Sequence, residues 1–292
     1  MMPTSRSRAA DYWTLTKPEV NLLIGMTTAA GYCLGSAGHG PGVSTIGLAH
    51  TVAGTLLVAS GTGTLNQLLE RRFDALMRRT ASRPVAAGRI APWHALVFGV
   101  VLGAAGTLEL AVAVNRLSSA LALATMASYL LVYTPLKRKT PLCTVIGALP
   151  GAAPPLIGWA GATGALGVEA WILYGMVFLW QFPHFMAIAW MYRDDYRRAG
   201  YRVVPRDIPI APFVLCQAMI PLLLLVPLSM MPVFFGRAGL LYLATALVLG
   251  AGFIYRADQL AVHQSNATAR RLLLTSIVYL PLIFIALLLD RA

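Results

Sequence analysis

Nine long apolar stretches set the terms on which this chain can fold. They run over roughly 19–37, 45–66, 92–115, 117–135, 142–163, 168–191, 209–233, 238–255 and 272–289. A helix needs about 20 apolar residues to cross the hydrocarbon core of a bilayer. Within lipid a backbone must satisfy its own hydrogen bonds, and a helix does so segment by segment. The expected fold class is therefore all-α: a polytopic membrane protein with nine transmembrane helices. Composition agrees, because the chain is 58% hydrophobic and 12% charged, against about 25% charged in a soluble domain. No polar stretch is long enough to fold alone. Residues 1–292 are read as one intramembrane domain, with 1–17 as a cytoplasmic N-terminal segment.

The basic residues orient the bundle, since cytoplasmic loops are enriched in Lys and Arg. They lie in the N-terminal segment (Arg6, Arg8, Lys17) and after the second stretch (Arg71, Arg72, Arg78, Arg79, Arg83, Arg89). More follow the fourth (Lys137, Arg138, Lys139), the sixth (Arg193, Arg197, Arg198, Arg202, Arg206) and the eighth (Arg256, Arg270, Arg271). Only Arg116, Arg237 and Arg291 fall on the other side. That split expects a cytoplasmic N-terminus and an outer C-terminus. The net charge of +12 then reports topology and an anionic ligand rather than nucleic acid. Cys33, Cys143 and Cys216 form no CxxC motif or disulfide framework. Met1–Tyr12 is polar, without the apolar core of a signal peptide. A bacterial inner membrane is the expected address.

The most charged stretch of the chain is Asn66–Pro84. Asn66, Glu70 and Asp74 recur every four residues, so on a helix they share one face. An amide and two carboxylates there offer oxygens to a hard cation such as Mg²⁺, and the arginines beside them suit a polyphosphate. A second acidic pair, Asp194 and Asp195, follows the sixth stretch on the same side of the membrane. The two clusters are expected to close on one metal-bridged anion. Tyr133 and Lys137, four residues apart at the end of the fourth stretch, face one ligand if the turn stays helical through Pro135. Gly147–Gly158 is rich in small residues and prolines, the pattern of a broken helix lining a cavity. Lys17, ahead of the first stretch, reaches a phosphate or serves as a positive-inside anchor.

The sixth stretch contains Leu179-Trp-Gln-Phe-Pro-His-Phe185. Intramembrane polar residues are costly and mark function by default. Trp180, Gln181 and His184 are spaced to share a face; they either flank a ligand or bond neighbouring helices. Asp195 is eleven residues beyond His184, about 16 Å along a straight helix, with Pro183 a candidate kink. His39, His50, His94 and His263 have no metal-ligand spacing and read as loop or interfacial residues. Trp13, Trp93 and Tyr192 fit an aromatic belt.

These motifs resemble a known family. Asn66-x₃-Glu70-x₃-Asp74 and Tyr133-x₃-Lys137 look like the first acidic and the tyrosine–lysine motifs of the UbiA superfamily of intramembrane prenyltransferases. Four further motifs resemble its branch that farnesylates protohaem IX. They are Met77-x-Arg79-Thr80-x-x-Arg83-Pro84, Pro154-Pro-Leu-Ile-Gly-Trp159, Leu179-Trp-Gln-x-Pro-His184-Phe and Tyr192-Arg-x-Asp-Tyr196-x-x-Ala-Gly200. The likeness runs from Tyr12 to Leu280. Two departures stand out. Glu70 occupies a position that is commonly Asp, and Asp194-Asp195 replaces an Asp-x₃-Asp motif, leaving open which of the two meets the metal.

The resemblance implies farnesyl diphosphate and haem B as substrates, haem O and diphosphate as products, Mg²⁺ as cofactor, the lipid bilayer as surroundings and a downstream haem A synthase as partner. It assigns Asn66, Glu70, Asp74 and Asp195 (or Asp194) to the metal and to catalysis. Lys17, Arg79, Arg83, Tyr133 and Lys137 go to the diphosphate, in a site opening to the cytoplasm. Trp180, Gln181 and His184 are the candidates for haem. The readings weighed against it are an aromatic-acid polyprenyltransferase of quinone biosynthesis and a multi-pass anion transporter.

Overall fold

The computed structural model describes residues 7–37, 42–203, 212–213 and 215–291. Arg6, His39, Arg206 and the start of the seventh expected span lie outside them. The regular elements among the described residues are all helical. In order they are α1 (Arg8–Leu15), α2 (Pro18–Ser36), α3 (Thr45–Asp74), α4 (Pro92–Ala113) and α5 (Arg116–Ala127). A π-helical turn (Ser128–Tyr133) leads into α6 (Thr134–Leu136), then α7 (Cys143–Gly151), α8 (Ala153–Thr163), α9 (Val168–Met191) and α10 (Arg193–Arg198). A second π-helical turn (Leu215–Met219) opens α11 (Ile220–Phe234), followed by α12 (Leu240–His263) and α13 (Asn266–Leu289).

Eight helical stretches among the described residues are long and apolar enough to cross a membrane, so this is a multi-pass membrane protein. The first expected span is α2, 19 residues long but made more polar than those eight by Glu19 and Asn21 near its start. The last two spans, expected to be the shortest, are 24 residues each. Arg256 lies inside α12 and Arg270 and Arg271 inside α13, so the loop expected to hold them is only Gln264 and Ser265. Ser265 closes that turn by capping α13 through the Thr268 N–H.

Helices in lipid gain nothing hydrophobic by pairing, so close backbone approach and dispersion hold them together. The chain meets that demand with glycine. A Cβ on Gly31 of α2 would sit 2.3 Å from the Pro155 carbonyl oxygen of α8, and one on Gly158 of α8 would sit 2.0 Å from the Thr28 oxygen of α2. The α3–α4 pair uses the same device at Gly61 and Gly106. Further helices interlock around α9, which packs on α7, α8, α11 and α13.

Proline decides where helices break. The Gly147–Gly158 stretch is broken as expected, into α7 and α8 at Ala152, just before Pro154 and Pro155. Pro183 differs: α9 runs through it from Val168 to Met191 without interruption. At Pro135 the preceding turn widens to π, which moves aside the carbonyl the ring would otherwise strike. The chain then resumes with Lys137 N donating to Tyr133 O at 3.2 Å.

Hydrogen bonds gather the connections into two ends. At one, Arg202 N donates to Lys137 O (2.9 Å), Arg193 Nη1 to Asn266 Oδ1 (3.0 Å) and Arg198 Nε to Leu76 O (3.4 Å). At the other, Asn115 Nδ2 donates to Ala160 O (2.7 Å), Arg237 pairs with Glu169 (3.2 Å) and Arg291 Nη1 donates to Cys33 O (3.2 Å). The basic loops share the first end, as their charge pattern required. His50 is helical rather than in a loop, and its Nδ1 meets Glu109 Oε1 of α4 at 2.5 Å.

Candidate active site

Helix α3 is 30 residues long because it continues past its apolar part through the whole Asn-x₃-Glu-x₃-Asp motif. Asn66, Glu70 and Asp74 all turn inward, Asp74 to 1% exposure. A buried carboxylate without a partner is strongly unfavourable, and each acid here has one. Lys137 Nζ donates to Glu70 Oε1 at 2.9 Å and to Oε2 at 3.2 Å. Arg83 Nη1 donates to both Asp74 oxygens at 2.9 and 2.8 Å. Asn66 Nδ2 donates to Glu70 Oε2 (3.0 Å) and Thr134 Oγ1 (3.2 Å), which turns its Oδ1 toward Lys17 Nζ at 2.9 Å.

Backbone geometry delivers these cations. Lys17 occupies the left-handed region, φ 54°, at the corner between α1 and α2. A lysine there is strained, and the bend directs its side chain over Gly63 into the site. Burial, then the Arg83 and Lys137 cations, lower its pKa to about 7 against the pull of Glu70 and Asp74. Burial acts the same way on Lys137, yet beside the Glu70 carboxylate its pKa stands well above the usual lysine range. The π-helical turn swings Lys137 so that its ammonium lies 4.6 Å from the centre of the Tyr133 ring. Arg83 rides on the loop after α3, where Thr80 Oγ1 donates to Asp74 O (3.0 Å). That loop is tied to α1 by Arg89, whose guanidinium donates to both oxygens of buried Asp11 at 2.9 to 3.0 Å.

The second acidic cluster joins the first through one residue. Asp195, 7% exposed, accepts from the backbone N–H of Arg79 at 3.2 Å and pairs with Arg198. The Asp194 side chain is 70% exposed and among the described residues meets only Arg197, at 3.5 Å. The two therefore part company despite being adjacent. They also belong to the separate short helix α10, so Asp195 is not a straight-helix continuation of His184. The Arg79 guanidinium covers the Tyr192 ring at 4.9 Å.

The oxygens of Asn66, Glu70, Asp74 and Asp195 are hard donors gathered from two helix ends. Among the described residues no three His, Cys, Asp or Glu side chains converge into a ready-made metal cage; the acids face lysine and arginine instead. Mg²⁺ needs no such cage, for it binds through a few carboxylates together with substrate phosphates and water. The donor set fits that ion, and the cations fit the phosphates.

The α9 residues divide between two neighbours. Gln181 Nε2 donates to Ala148 O of α7 at 3.1 Å, whereas Trp180 Nε1 donates to Ser276 O of α13 at 2.8 Å. His184 stacks on Trp180, with ring centres 4.8 Å apart, and its Nδ1 meets Ser276 Oγ at 2.8 Å. Gln181 and His184 thus address different helices, not one face. Ser276 Oγ gives its one hydrogen to Leu273 O (2.6 Å), so it accepts from the ring. Nδ1 therefore carries the histidine proton. The Nε2 lone pair has no hydrogen-bond partner among the described residues.

Three residues that the sequence reading did not assign to the site join it: Thr134, which fixes Asn66; Arg198, which pairs with Asp195; and Tyr201, buried beside Glu70. The i,i+3 spacing of Asp195 and Arg198 was a usable signal. Thr134 and Tyr201 carried none, because they reach Asn66 and Glu70 from segments distant in sequence.

Buried acids answered by cations, at one end of an all-helical membrane bundle, define the class: this chain belongs to the UbiA prenyltransferase family, which it matches over residues 24–288. Among its relatives, it is similar to the protoheme IX farnesyltransferase of Solibacter usitatus (strain Ellin6076), with 46% identity over 96% of this chain and 98% of that one. The protoheme IX farnesyltransferase of Koribacter versatilis (strain Ellin345) is 40% identical over 99% and 96%. Solved structures share the fold. A digeranylgeranylglyceryl phosphate synthase superimposes with a TM-score of 0.78 at 16% identity, covering 97% of this chain and 98% of that one. A UbiA homolog from Archaeoglobus fulgidus bound to GPP and Mg²⁺ does so with 0.66 at 15% identity, covering 95% and 99%.

Proposed function

We propose that this protein transfers the farnesyl group of farnesyl diphosphate to the vinyl group of haem B, with addition of water, giving haem O and diphosphate. The observation that carries the reading is the buried set Glu70, Asp74 and Asp195 answered by Lys137, Arg83 and Arg198, with Lys17 on Asn66 beside them. The names of the relatives favour haem over a small aromatic acid or transport of an anion.

Ionisation of the allylic diphosphate puts negative charge on the leaving group. Asn66, Glu70, Asp74 and Asp195 would hold Mg²⁺, which when bound draws that charge from the diphosphate oxygens. Arg79, Arg83 and Lys137 supply fixed positive charge to the same oxygens, and the anion draws a proton onto Lys17, which joins them. In the free protein Arg83 is held by Asp74 and Lys137 by Glu70, so when these cations turn to a bound diphosphate the acids would be left to the metal and no buried charge would stand alone. The Tyr133 ring, already against the Lys137 ammonium, offers its face to the allylic cation. The haem vinyl group attacks that cation, water captures the resulting carbocation beside the ring, and a proton leaves to solvent. The residues contribute alignment and exclusion of bulk water. His184, with Nε2 open, is the candidate to meet the haem iron, with Trp180 holding its ring and Gln181 bracing the wall of α7.

The nine-span arrangement, as one domain with its N-terminus and site facing the cytoplasm of a bacterial inner membrane, is part of this reading. It rests on the concentration of basic loops at the site end. A haem A synthase would take the product onward.

Purified protein given haem B, farnesyl diphosphate and Mg²⁺ is expected to form haem O, detected by mass spectrometry. No product from that mixture, with prenylation of 4-hydroxybenzoate when that acid is supplied in place of haem, would sink the assignment. For the haem subsite, His184→Ala is expected to weaken haem B binding about tenfold or more, the scale of one lost ligand or its orienting contact, and to alter the haem absorption spectrum. An unchanged spectrum and affinity would remove His184 from the haem site.

A further inference from the structure

Tyr201 is held in place from both sides. Helix α10 ends in a turn with Gly200 at φ 71°, Gly200 N donating to Arg197 O (3.2 Å) and Tyr201 N to Tyr196 O (2.9 Å), the double bond of a Schellman motif. The next residue, Arg202, donates its N–H to Lys137 O at 2.9 Å. The Tyr201 ring lies between Phe73 (6.0 Å between centres) and Tyr196 (5.9 Å), 5% exposed. Its hydroxyl is buried and makes no hydrogen bond among the described residues. The Glu70 carboxylate lies near it, and a phenol has a hydrogen to donate.

Such a donor is unfavourable left unmade, and its acceptor is close by. Asp74 already takes Arg83 on both oxygens. Glu70 takes Lys137 twice and Asn66 once, and a carboxylate has about four acceptor positions. We propose that Tyr201 is a positioning residue whose hydroxyl donates to the Glu70 carboxylate once the Lys137 ammonium turns to a bound diphosphate. This rests on the diphosphate reading above. Tyr201 then holds the angle of Glu70 while its former cation serves the ligand, and the Arg202–Lys137 bond keeps the two movements together.

The test is Tyr201→Phe, which removes only the oxygen. The probe is farnesyl thiodiphosphate, an unreactive analogue, titrated with Mg²⁺ into detergent-purified protein. Affinity is expected to fall about tenfold, the lower end for a hydrogen bond to a charged group. The ligand-free melting temperature should stay level or rise, because an unmade buried bond has been deleted. In a Glu70→Gln background the same change should alter affinity less than twofold. A wild-type affinity in Tyr201→Phe overturns the proposal, as does a loss of affinity accompanied by a lowered melting temperature, which marks a structural hydroxyl. Wild-type protein that does not bind the analogue overturns the diphosphate reading itself.

Discussion

Asp74→Asn is expected to lower haem O formation by about 10²–10³-fold, the scale for loss of a group that stabilises developing charge. The substitution keeps the size of the side chain and an oxygen that accepts from Arg83, so the loop after α3 keeps its anchor. What disappears is the negative charge at a position 1% exposed, where nothing else replaces it. Asp195→Asn should act in the same direction, because Asp195 is buried against the Arg79 N–H. Asp194→Asn should change the rate by less than about twofold, since an exposed ion pair contributes little. Rates read by mass spectrometry at saturating Mg²⁺ separate the three. Near-normal product from Asp74→Asn would remove the acid cluster from the chemistry. Equal losses at Asp194 and Asp195 would contradict their different burial.

The largest effect on the fold is expected at Gly158. A methyl group there would lie 2.0 Å from the Thr28 carbonyl oxygen, which belongs to backbone and has no rotamer by which to move away. Gly158→Ala must push α2 from α8, at a cost of about 3 kcal/mol, the upper end for overpacking. The expected result is a lower thermal midpoint in detergent and a smaller folded yield. Gly252 in α12 is the control: a Cβ there meets nothing within 4 Å. Gly252→Ala should be neutral or stabilise by up to about 1 kcal/mol through helix propensity. Equal behaviour of the two variants would show that the α2–α8 seam tolerates separation. Because α2 starts at Lys17, separation should also weaken diphosphate binding.

Particular residues show how far the chain could be read unaided. Asn66, Glu70 and Asp74 were legible because a period of four on a helix is local, needing no knowledge of what packs against it. The basic loops were legible for a similar reason, since charge bias along the chain is a one-dimensional signal. Tyr133 and Lys137 were legible only as a pair, as Pro135 made the turn between them undecidable. The π-helical turn resolves it by a change of hydrogen-bond register that composition does not encode. For Trp180 and His184 spacing held, since both meet Ser276; for Gln181 and His184 it misled, because residues near one another on a helix can face different neighbours when several helices surround it.

By itself, then, the sequence determined the all-helical membrane class, the end of the bundle that carries the charge and the acids that sit there. Those properties follow from helical periodicity and from the exclusion of charge from lipid. Only the tertiary structure decided which cation answers which acid, that Asp195 rather than Asp194 faces the site, and that the Tyr201 hydroxyl is buried near Glu70. Each depends on groups brought together from distant parts of the chain. A hydrogen bond lost over a fraction of an ångström is set by how helices pack, here by where glycine lets two backbones touch.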